Sequence, residues 1–460
     1  MSDSASFSSL SLSPAMQANL ASLGYTQMTP IQAAALPLML AGRDVLAQAK
    51  TGSGKTAAFG IALLHQVNAR YFGCQGLVLC PTRELADQVA KEMRRLARAA
   101  DNIKVLTLCG GVPFGPQVGS LEHGAHVIVG TPGRVGEHLR KGTLKLDGLR
   151  TLVLDEADRM LDMGFYDSIA EIIGQTPPRR QTLLFSATYP QGIQQLAATF
   201  LDKPEEVRVQ SLHDDRQIEQ RFYEISPDHR YDAVKRLLAS VRPQSCVAFC
   251  HTRQQCQELV DVLAAAGIEA QALHGDLEQR ERDQTLAMFA NRSLSVLVAT
   301  DVAARGLDIE GLEAVINVEL SRDPEVHIHR IGRSGRAGEK GLALSLVAPA
   351  EAARAQAIET LQRKPLPWFQ LDALQPGKGS ALQAPMRTLC IAAGRKDKLR
   401  PGDILGALTG DAGIEGDKVG KIAIFDFQAF VAIERSRAQD ALRRLNQGKI
   451  KGRSLKVRLI

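Results

Sequence analysis

The sequence lacks the features that mark membrane-spanning and secreted proteins. No apolar run approaches the roughly 18 residues of a membrane span, and the amino terminus, MSDSASFSSL, lacks the basic and apolar regions of a signal peptide. The 7 cysteines are odd in number and irregularly spaced, which fits reduced thiols better than a disulfide framework. Cys246 and Cys250 lie in the apolar run SCVAFC, which favours a buried strand over a zinc site. These absences predict a soluble cytoplasmic protein with no membrane partner.

Length and charge divide the chain into unequal parts. At 460 residues it is too long for one ordinary hydrophobic core, so about two to four domains are expected. The net charge is +6, but residues 386–460 contain 16 Lys and Arg against 8 Asp and Glu, a net +8, which leaves −2 for the first 385 residues. This basic tail predicts an anionic partner such as nucleic acid, and a solvated charged face is the alternative interpretation.

Short apolar runs alternate with helical patterns in two series. DVLAQA, GLVLC, HVIVG, TLVLDEAD and QTLLFSAT belong to the first, and SCVAFC, IEAQALHG, LSVLVATD and AVINVEL to the second. Such alternation predicts parallel sheets covered by helices on both faces. We therefore predict an α/β domain at 1–207, a linker at 208–218, a second α/β domain at 219–365, a linker at 366–385 and a small α+β domain at 386–460.

The segment AKTGSGKT lies between an apolar strand and a helix, which is the context of a phosphate-binding P-loop. Ala49 stands where the usual pattern has its first glycine. Backbone N–H groups at the start of the helix favour phosphate. Lys55 is expected to bridge the terminal phosphates, and the Thr56 hydroxyl to join the shell of Mg²⁺. The predicted nucleotide-binding residues of the loop are Thr51, Gly52, Ser53, Gly54, Lys55 and Thr56.

Three carboxylates follow the apolar run of LVLDEAD. This places Asp155 and Glu156 at the carboxyl end of a strand, the edge at which parallel sheets bind ligands. We expect Asp155 to hold Mg²⁺ and Glu156 to orient and deprotonate the attacking water. An acidic turn is the alternative interpretation, which the upstream P-loop disfavours. Together the two motifs predict hydrolysis of a nucleoside triphosphate at a site that lacks a cation on its open side.

The stretch HRIGRSGRAG carries arginines at Arg330, Arg333 and Arg336 with glycines between them. A solvated helix face would explain the spacing of three. However, each glycine costs about 1 kcal/mol relative to alanine inside a helix. We therefore predict a loop that directs guanidinium groups at an anion.

Taken together, the motifs and their order resemble those of the DEAD-box RNA helicases over about residues 5–350. The resemblance implies two tandem RecA-like domains and a small α+β domain similar to an RNA-recognition motif. GYTQMTPIQ resembles the adenine-reading motif, so Gln32 would bond adenine, Phe7 would stack on it, and Asp308 would contact the ribose. By the same likeness Ser186 and Thr188 would couple hydrolysis of ATP to strand separation.

The same resemblance implies RNA contacts in both α/β domains. The motifs PTRELADQV, GG, TPGR, HGDLEQRER and ATDVAARGLDI carry them. The residues concerned are Thr82, Arg83, Gly111, Thr131, Arg134, Gln279, Arg282, Thr300 and Arg305. HRIGRSGRAG resembles the arginine-finger motif, so Arg333 and Arg336 would reach the γ-phosphate, while His329 and Arg330 would serve coupling. Most of these side chains suit phosphate and ribose, which predicts little base specificity.

The tail resembles a βαββαβ domain of the RNA-recognition-motif type. Phe430 and Val431 align with the F-V of its aromatic motif, but Gln428 and Ile433 stand where aromatic residues are usual. The basic runs GRKDKLR and NQGKIKGR are therefore candidate RNA contacts, and a protein-docking module is the alternative. Core and tail together resemble a bacterial branch of the family, which implies recognition of large-subunit ribosomal RNA in pre-ribosomal particles.

The function predicted from the sequence is an ATP-dependent, RNA-stimulated helicase that separates short duplexes during ribosome assembly. Two other classes compete with it. One is an RNA clamp that closes with ATP and rarely turns over, which the intact set of Lys55, Glu156, Arg333 and Arg336 disfavours. The other is a DNA translocase of the same superfamily, which the adenine-reading motif and DEAD disfavour.

Overall fold

A computed structural model describes residues 6–49, 52–189, 191–209, 218–304, 312–335, 341–375, 377, 382–410 and 412–460. The described residues up to 209 belong to one compact unit, and those from 218 onward to another. Within these residues, no helix combines the length and the apolarity that crossing a bilayer requires. Thr51, Arg305, Asp308 and Arg336 lie outside the described residues.

The first unit contains a seven-stranded parallel sheet with the order β3-β4-β2-β5-β6-β1-β7. The strands are β1 Val45–Gln48, β2 Gly76–Leu79, β3 Val105–Leu108, β4 Val127–Gly130, β5 Thr151–Leu154, β6 Gln181–Ser186 and β7 Glu205–Arg208. The helices are α1 Pro14–Ser22, α2 Pro30–Leu40, α3 Lys55–His65, α4 Arg83–Leu96, α5 Phe114–Glu122, α6 Pro132–Arg140, α7 Ala157–Asp162, α8 Tyr166–Gly174 and α9 Gln191–Phe200.

Both faces of this sheet are apolar because successive strand residues point to opposite sides. On β1, Val45 and Ala47 belong to one hydrophobic core and Leu46 to the other. The same division holds on β5, where Val153 faces the first core and Leu152 the second. This explains why the strands read as continuous apolar runs in the sequence.

The second unit contains another seven-stranded parallel sheet, in the order β10-β11-β9-β12-β13-β8-β14. Its strands are β8 Ile218–Glu224, β9 Cys246–Cys250, β10 Ala270–Leu273, β11 Val296–Thr300, β12 Ala314–Asn317, β13 Gly341–Val347 and β14 Trp368–Phe369. Its helices are α10 Arg230–Val241, α11 Arg253–Ala265, α12 Gln279–Ala290, α13 Asp301–Ala304, α14 Pro324–Ile331 and α15 Ala352–Gln362. Strand β14 falls inside the segment predicted as the second linker and pairs with β8.

The same unit ends in a four-stranded antiparallel sheet with the order β16-β17-β15-β18. The elements are β15 Met386–Ile391, α16 Pro401–Thr409, β16 Val419–Ile424, β17 Ala429–Glu434, α17 Ala438–Gln447 and β18 Val457–Leu459. This βαββαβ order confirms the predicted small α+β domain, and the two parallel sheets confirm the tandem α/β domains.

One face of the small sheet packs against α12 of the preceding domain. Phe430 of β17 and Cys390 of β15 form a hydrophobic cluster with Ala287. Beside them, the amide of Asn291 donates to the Thr388 hydroxyl at 2.9 Å, and both side chains are buried. The small domain is therefore joined to α12 by a packed interface as well as by its linker.

This interface predicts the effect of Ala287→Arg. A long charged side chain does not fit between Cys390 and Phe430, so the small domain should separate from α12 while both domains stay folded. We expect alkylation of Cys390 by iodoacetamide, followed by mass spectrometry, to accelerate at least about tenfold. The six other cysteines are buried elsewhere and serve as internal controls.

The matched control is Ala290→Arg, which adds the same charge at an exposed position of the same helix. It should leave the alkylation rate of Cys390 unchanged. Equal rates in both variants would contradict the packed interface.

Candidate nucleotide and RNA sites

The predicted P-loop connects β1 to α3 at the carboxyl edge of the first sheet. Gly54 precedes α3 with a φ of +88°, the left-handed region that glycine tolerates best. The Gln32 amide donates to the Gly54 carbonyl at 3.0 Å, and a Cβ on Gly54 would lie only 2.6 Å from that amide nitrogen. The structure therefore brings Gln32, the predicted adenine reader, against the loop.

Lys55 forms the charged centre of this site. Its buried Nζ lies 2.8 Å from Asp155 Oδ1 and 3.7 Å from Glu156 Oε1. Burial lowers the pKa of the Lys55 ammonium, but the charges of Asp155 and Glu156 outweigh that effect and hold the pKa above its ordinary value. Lys55 is therefore charged at neutral pH, as a phosphate-binding lysine needs to be.

Glu156 has a backbone conformation that is rare outside glycine. Its φ is +53° at the start of α7, which costs about 1–2 kcal/mol for a residue with a Cβ. Its carboxylate also approaches Arg159 Nη1 at 3.1 Å. Strain of this kind concentrates at functional sites, and here it falls on the residue predicted to activate water.

The predicted coupling residues lie beside the last carboxylate of DEAD. Asp158 Oδ2 accepts three hydrogen bonds, from the Ala187 amide at 3.2 Å, the Thr188 amide at 3.0 Å and the Thr188 hydroxyl at 2.9 Å. The Ser186 hydroxyl donates to the Thr188 carbonyl at 2.6 Å. This proximity follows from the sheet order, because β6 lies directly next to β5.

Phe7 lies in a short 3₁₀ turn near the amino terminus and is buried in the first core. Its ring meets that of Tyr25 edge to face, with 6.0 Å between centroids. Gln32 is also buried, and its Oε1 accepts from the Thr29 amide at the start of α2. The sequence did not single out Tyr25, which is positioned to support Phe7.

The predicted RNA contacts of the first domain gather at the carboxyl ends of the adjacent strands β2, β3 and β4. Thr82 begins α4 and Thr131 begins α6. Gly111 follows β3 with a φ of +74°, and Arg83 lies at the first position of α4, 3.9 Å from Asp87. Parallel strands place their carboxyl ends at one edge, so these residues share a side of the domain.

Arg134 is held by residues that the sequence did not single out. Its guanidinium donates to Gln117 Oε1 at 2.8 Å and to the Val112 carbonyl at 3.1 Å. The same Gln117 oxygen lies 3.0 Å from His138 Nε2, and burial, with the nearby charge of Arg134, lowers the pKa of His138 to about 4. No motif contains Gln117, so only the folded structure reveals this support.

In the second domain the predicted RNA contacts lie on two elements. Gln279 and Arg282 occupy the first turn of α12, where the Gln279 amide donates to Asp283 at 2.8 Å. Thr300 ends β11, and its hydroxyl accepts from the Ala303 amide. Arg305 lies outside the described residues, as does Asp308.

The arginine segment is partly helical, so the prediction of a loop was wrong for its first residues. His329 and Arg330 lie in the last turn of α14, and Gly332 follows the helix as its cap. The glycine penalty applies inside a helix and not at its end, so it did not exclude this arrangement. Arg333 comes just after the helix and is largely buried, while Arg336 lies outside the described residues.

Arg330 is only 2% exposed and is fully engaged inside its own domain. It donates twice to the Asp301 carboxylate, at 2.7 Å each, and also to Asn317 Oδ1 and the Glu319 carbonyl. Its guanidinium also lies over the Phe249 ring, 5.0 Å from the centroid. A buried arginine paired this completely fixes the end of α14, from which Arg333 follows.

In the small domain, the two predicted basic runs lie together. Lys451 Nζ donates to the Lys398 carbonyl at 2.5 Å, and Arg453 approaches Asp397 at 3.5 Å. We call the exposed basic residues of these runs the basic surface, which consists of Arg395, Lys396, Lys398, Arg400, Lys449, Lys451 and Arg453. By contrast Phe430, aligned with the aromatic motif, is completely buried against α12 and is not accessible to a base.

Comparison with known proteins identifies the family. Residues 29–196 match the DEAD/DEAH box helicases, residues 229–338 the helicase conserved C-terminal domain, and residues 388–459 the DbpA RNA binding domain. The ATP-dependent RNA helicase DbpA of Escherichia coli (strain K12) is 55% identical over 457 residues, which cover 99% of both chains. This chain belongs to the DEAD-box ATP-dependent RNA helicases.

Other DEAD-box helicases match a smaller share of the chain. The helicase CshA of Bacillus subtilis (strain 168) is 42% identical over 360 residues, which cover 78% of this chain and 73% of that one. The structure of S. cerevisiae Dbp5 bound to RNA and ADP BeF3 is 31% identical with a TM-score of 0.73, covering 80% of this chain and 96% of Dbp5. The chain is thus a helicase that uses ATP and binds RNA, with an added carboxyl-terminal RNA-binding domain.

The bond between Thr188 and Asp158 predicts the effect of Thr188→Val. The change removes one of three donors to Asp158 Oδ2 and preserves side-chain volume, so the loop keeps its two amide bonds at a cost of about 1 kcal/mol. We expect RNA-stimulated ATP turnover to stay within about fivefold of wild type, whereas separation of a fluorescent RNA duplex falls further, by about tenfold. Both rates are measured on the same preparation.

The control is Thr199→Val, which removes an exposed hydroxyl that donates to the Gln195 carbonyl within α9. It should change neither rate. A parallel decrease of turnover and strand separation in Thr188→Val would contradict a role in coupling.

Proposed function

We propose that this helicase separates short RNA duplexes in large-subunit ribosomal RNA during ribosome assembly, and that its carboxyl-terminal domain selects the target. The observation that carries the proposal is the basic surface, which unites two separate runs of the tail on a domain of the DbpA RNA-binding type. The core contacts suit phosphate and ribose, so target selection needs a second element. We further propose that the protein acts in the cytoplasm on pre-ribosomal particles.

The residues of the first domain also fit a magnesium ion. Asp155 Oδ2 is buried without a hydrogen-bond partner among the described residues, which leaves a negative oxygen for a cation or its water. Thr56 follows Lys55 at the start of α3, so its hydroxyl would lie next to the phosphates of a bound nucleotide. Mg²⁺ binds one or two protein oxygens together with phosphates and water. When bound, it would neutralise charge on the terminal phosphates.

The other residues of the site have separate roles in the hydrolysis of ATP. Lys55 holds the terminal phosphates by charge, and the backbone of Gly52 and Gly54 accommodates their close approach. Glu156 orients the attacking water and accepts its proton. Arg333 and Arg336 of the second domain supply positive charge to the γ-phosphate as it is transferred to water.

This division predicts the effect of Arg333→Ala. Arginine fingers contribute about 10³ to 10⁵ in rate, so we expect RNA-stimulated ATP turnover to fall at least about a thousandfold, while ATP affinity stays within about threefold. Turnover is measured at saturating ATP, and affinity is measured with a fluorescent ATP analogue. Arg322→Ala removes an exposed arginine of the same domain and should leave both values unchanged. Unaltered turnover in Arg333→Ala would exclude the finger role.

Target selection is tested on the full-length protein, because deleting the tail would expose the apolar face of α12. We expect a transcript of large-subunit ribosomal RNA to stimulate ATP turnover at about tenfold lower concentration than an unstructured RNA of equal length, with DNA ineffective. Charge reversal by Lys396→Glu with Lys451→Glu should abolish that preference, because the basic surface would repel phosphate.

Lys145→Glu reverses an exposed charge in the first domain and serves as the control. Strand separation, measured with each RNA, distinguishes a helicase from a clamp that closes and rarely turns over. Equal stimulation by ribosomal RNA and unstructured RNA in the wild-type protein would refute the proposed target.

A further inference from the structure

The tight turn between β16 and β17 presents an aromatic side chain to solvent. The Phe425 amide donates to the Gln428 carbonyl at 2.8 Å, so Asp426 and Phe427 are the two central residues of the turn. Phe427 is 74% exposed, more than any other large hydrophobic side chain in the described residues. A single exposed phenylalanine needs no explanation by itself; its surroundings make this one notable.

The turn is fixed to the basic surface by main-chain hydrogen bonds. The Arg395 amide donates to the Phe425 carbonyl at 2.8 Å, and the Lys396 amide to the Asp426 carbonyl at 3.0 Å. Gly394 permits this approach, because a Cβ there would lie 2.2 Å from the Phe425 oxygen. Phe427 is therefore presented on a fixed turn beside two cationic residues.

On its other side the turn is joined to α12. Arg280 Nε donates to Gln428 Oε1 at 3.1 Å, and Gln428 directly follows Phe427. Arg280 lies between Gln279 and Arg282, two residues of α12 that the family resemblance predicts to contact RNA. The exposed ring thus lies at the junction between the RNA contacts of the core and the basic surface of the tail.

The charges around the ring favour an anionic ligand with planar groups. The basic surface contributes seven cations, while the carboxylates that face them are Asp397, Asp403 and Asp426. The pair between Arg395 and Asp426 is long, at 3.8 Å, and exposed, so it screens little of the surface. Cationic side chains with an aromatic ring among them are the combination by which proteins bind unpaired nucleotides.

We propose that Phe427 stacks on an unpaired base of RNA that is bound jointly by α12 and the basic surface. The inference rests on the proposed function, since it assumes that core and tail bind the same RNA molecule. It adds a base contact that neither the core motifs nor the buried Phe430 supplies. It also places that contact at the junction of the two domains instead of on the sheet face.

The test compares three changes at Phe427 in the full-length protein. The probe is a fluorescein-labelled transcript of large-subunit ribosomal RNA, and a blunt RNA duplex without unpaired bases is the second ligand. Stacking on one base is lost in Phe427→Ala, so the Kd for the transcript should rise about tenfold. Phe427→Tyr should bind within about twofold of wild type, whereas Phe427→Leu should resemble alanine because it lacks a ring face.

The blunt duplex should show a change of less than about twofold in all three variants. The matched control is Phe369→Ala, an exposed phenylalanine of the same unit on strand β14, which should leave the Kd for the transcript unchanged. Thermal unfolding confirms that each variant is folded. The fold requires no ring at an exposed turn position.

Three outcomes would overturn the inference. A transcript Kd within about twofold of wild type in Phe427→Ala would mean that the ring contacts no RNA, as expected if it docks a protein instead. Wild-type affinity in Phe427→Leu would replace stacking by a simple apolar contact. Equal losses on the duplex would show that no unpaired base is involved. If the wild-type protein prefers the ribosomal transcript and Phe427→Ala binds that transcript with wild-type affinity, only this inference fails and the proposed function stands.

Discussion

The buried ion pair between Lys55 and Asp155 is the interaction on which the nucleotide site depends. It joins the P-loop, which follows β1, to the acidic turn, which follows β5, across the intervening strand β6. Removing either partner would leave a buried charge uncompensated, at a cost of about 3–5 kcal/mol. The pair therefore fixes the spacing of the loop and the carboxylates, and Ser186 on the strand between them follows from that spacing.

The positions of the strand ends also determine where the other predicted site residues of the two α/β domains lie. In both parallel sheets most of the predicted functional side chains follow the carboxyl ends of the strands, where loops are free to vary without disturbing the sheet. Two side chains that were not predicted as site residues hold residues that were. Gln117 holds Arg134 in the first domain, and Asp301 holds Arg330 in the second. Positioning of this kind makes a preformed site from flexible side chains.

Much of the fold and of the nucleotide site could be predicted from the sequence, because strands buried on both faces leave continuous apolar runs and phosphate loops need glycine. The RNA-binding tail was predictable as a βαββαβ order. What the sequence could not reveal were contacts between segments far apart in the chain. Gln117 belongs to no motif, nothing local to Arg330 indicates that it pairs with Asp301, and nothing local to Phe430 indicates that Ala287 covers it. Helix α14 was missed because glycines at a helix end carry no penalty.

The packing of the small domain on α12 limits how that domain could be transferred to another protein. RNA-recognition domains are usually treated as portable modules, which can be attached to a new protein by a linker alone. Here the sheet face is apolar at Phe430 and Cys390, and its Thr388 hydroxyl accepts a hydrogen bond from Asn291 of the preceding domain. If the small domain were fused to another helicase, its apolar patch would be exposed unless the matching surface of α12 were transferred as well. The small domain and α12 therefore form one packed unit, and moving the small domain alone would break its interface.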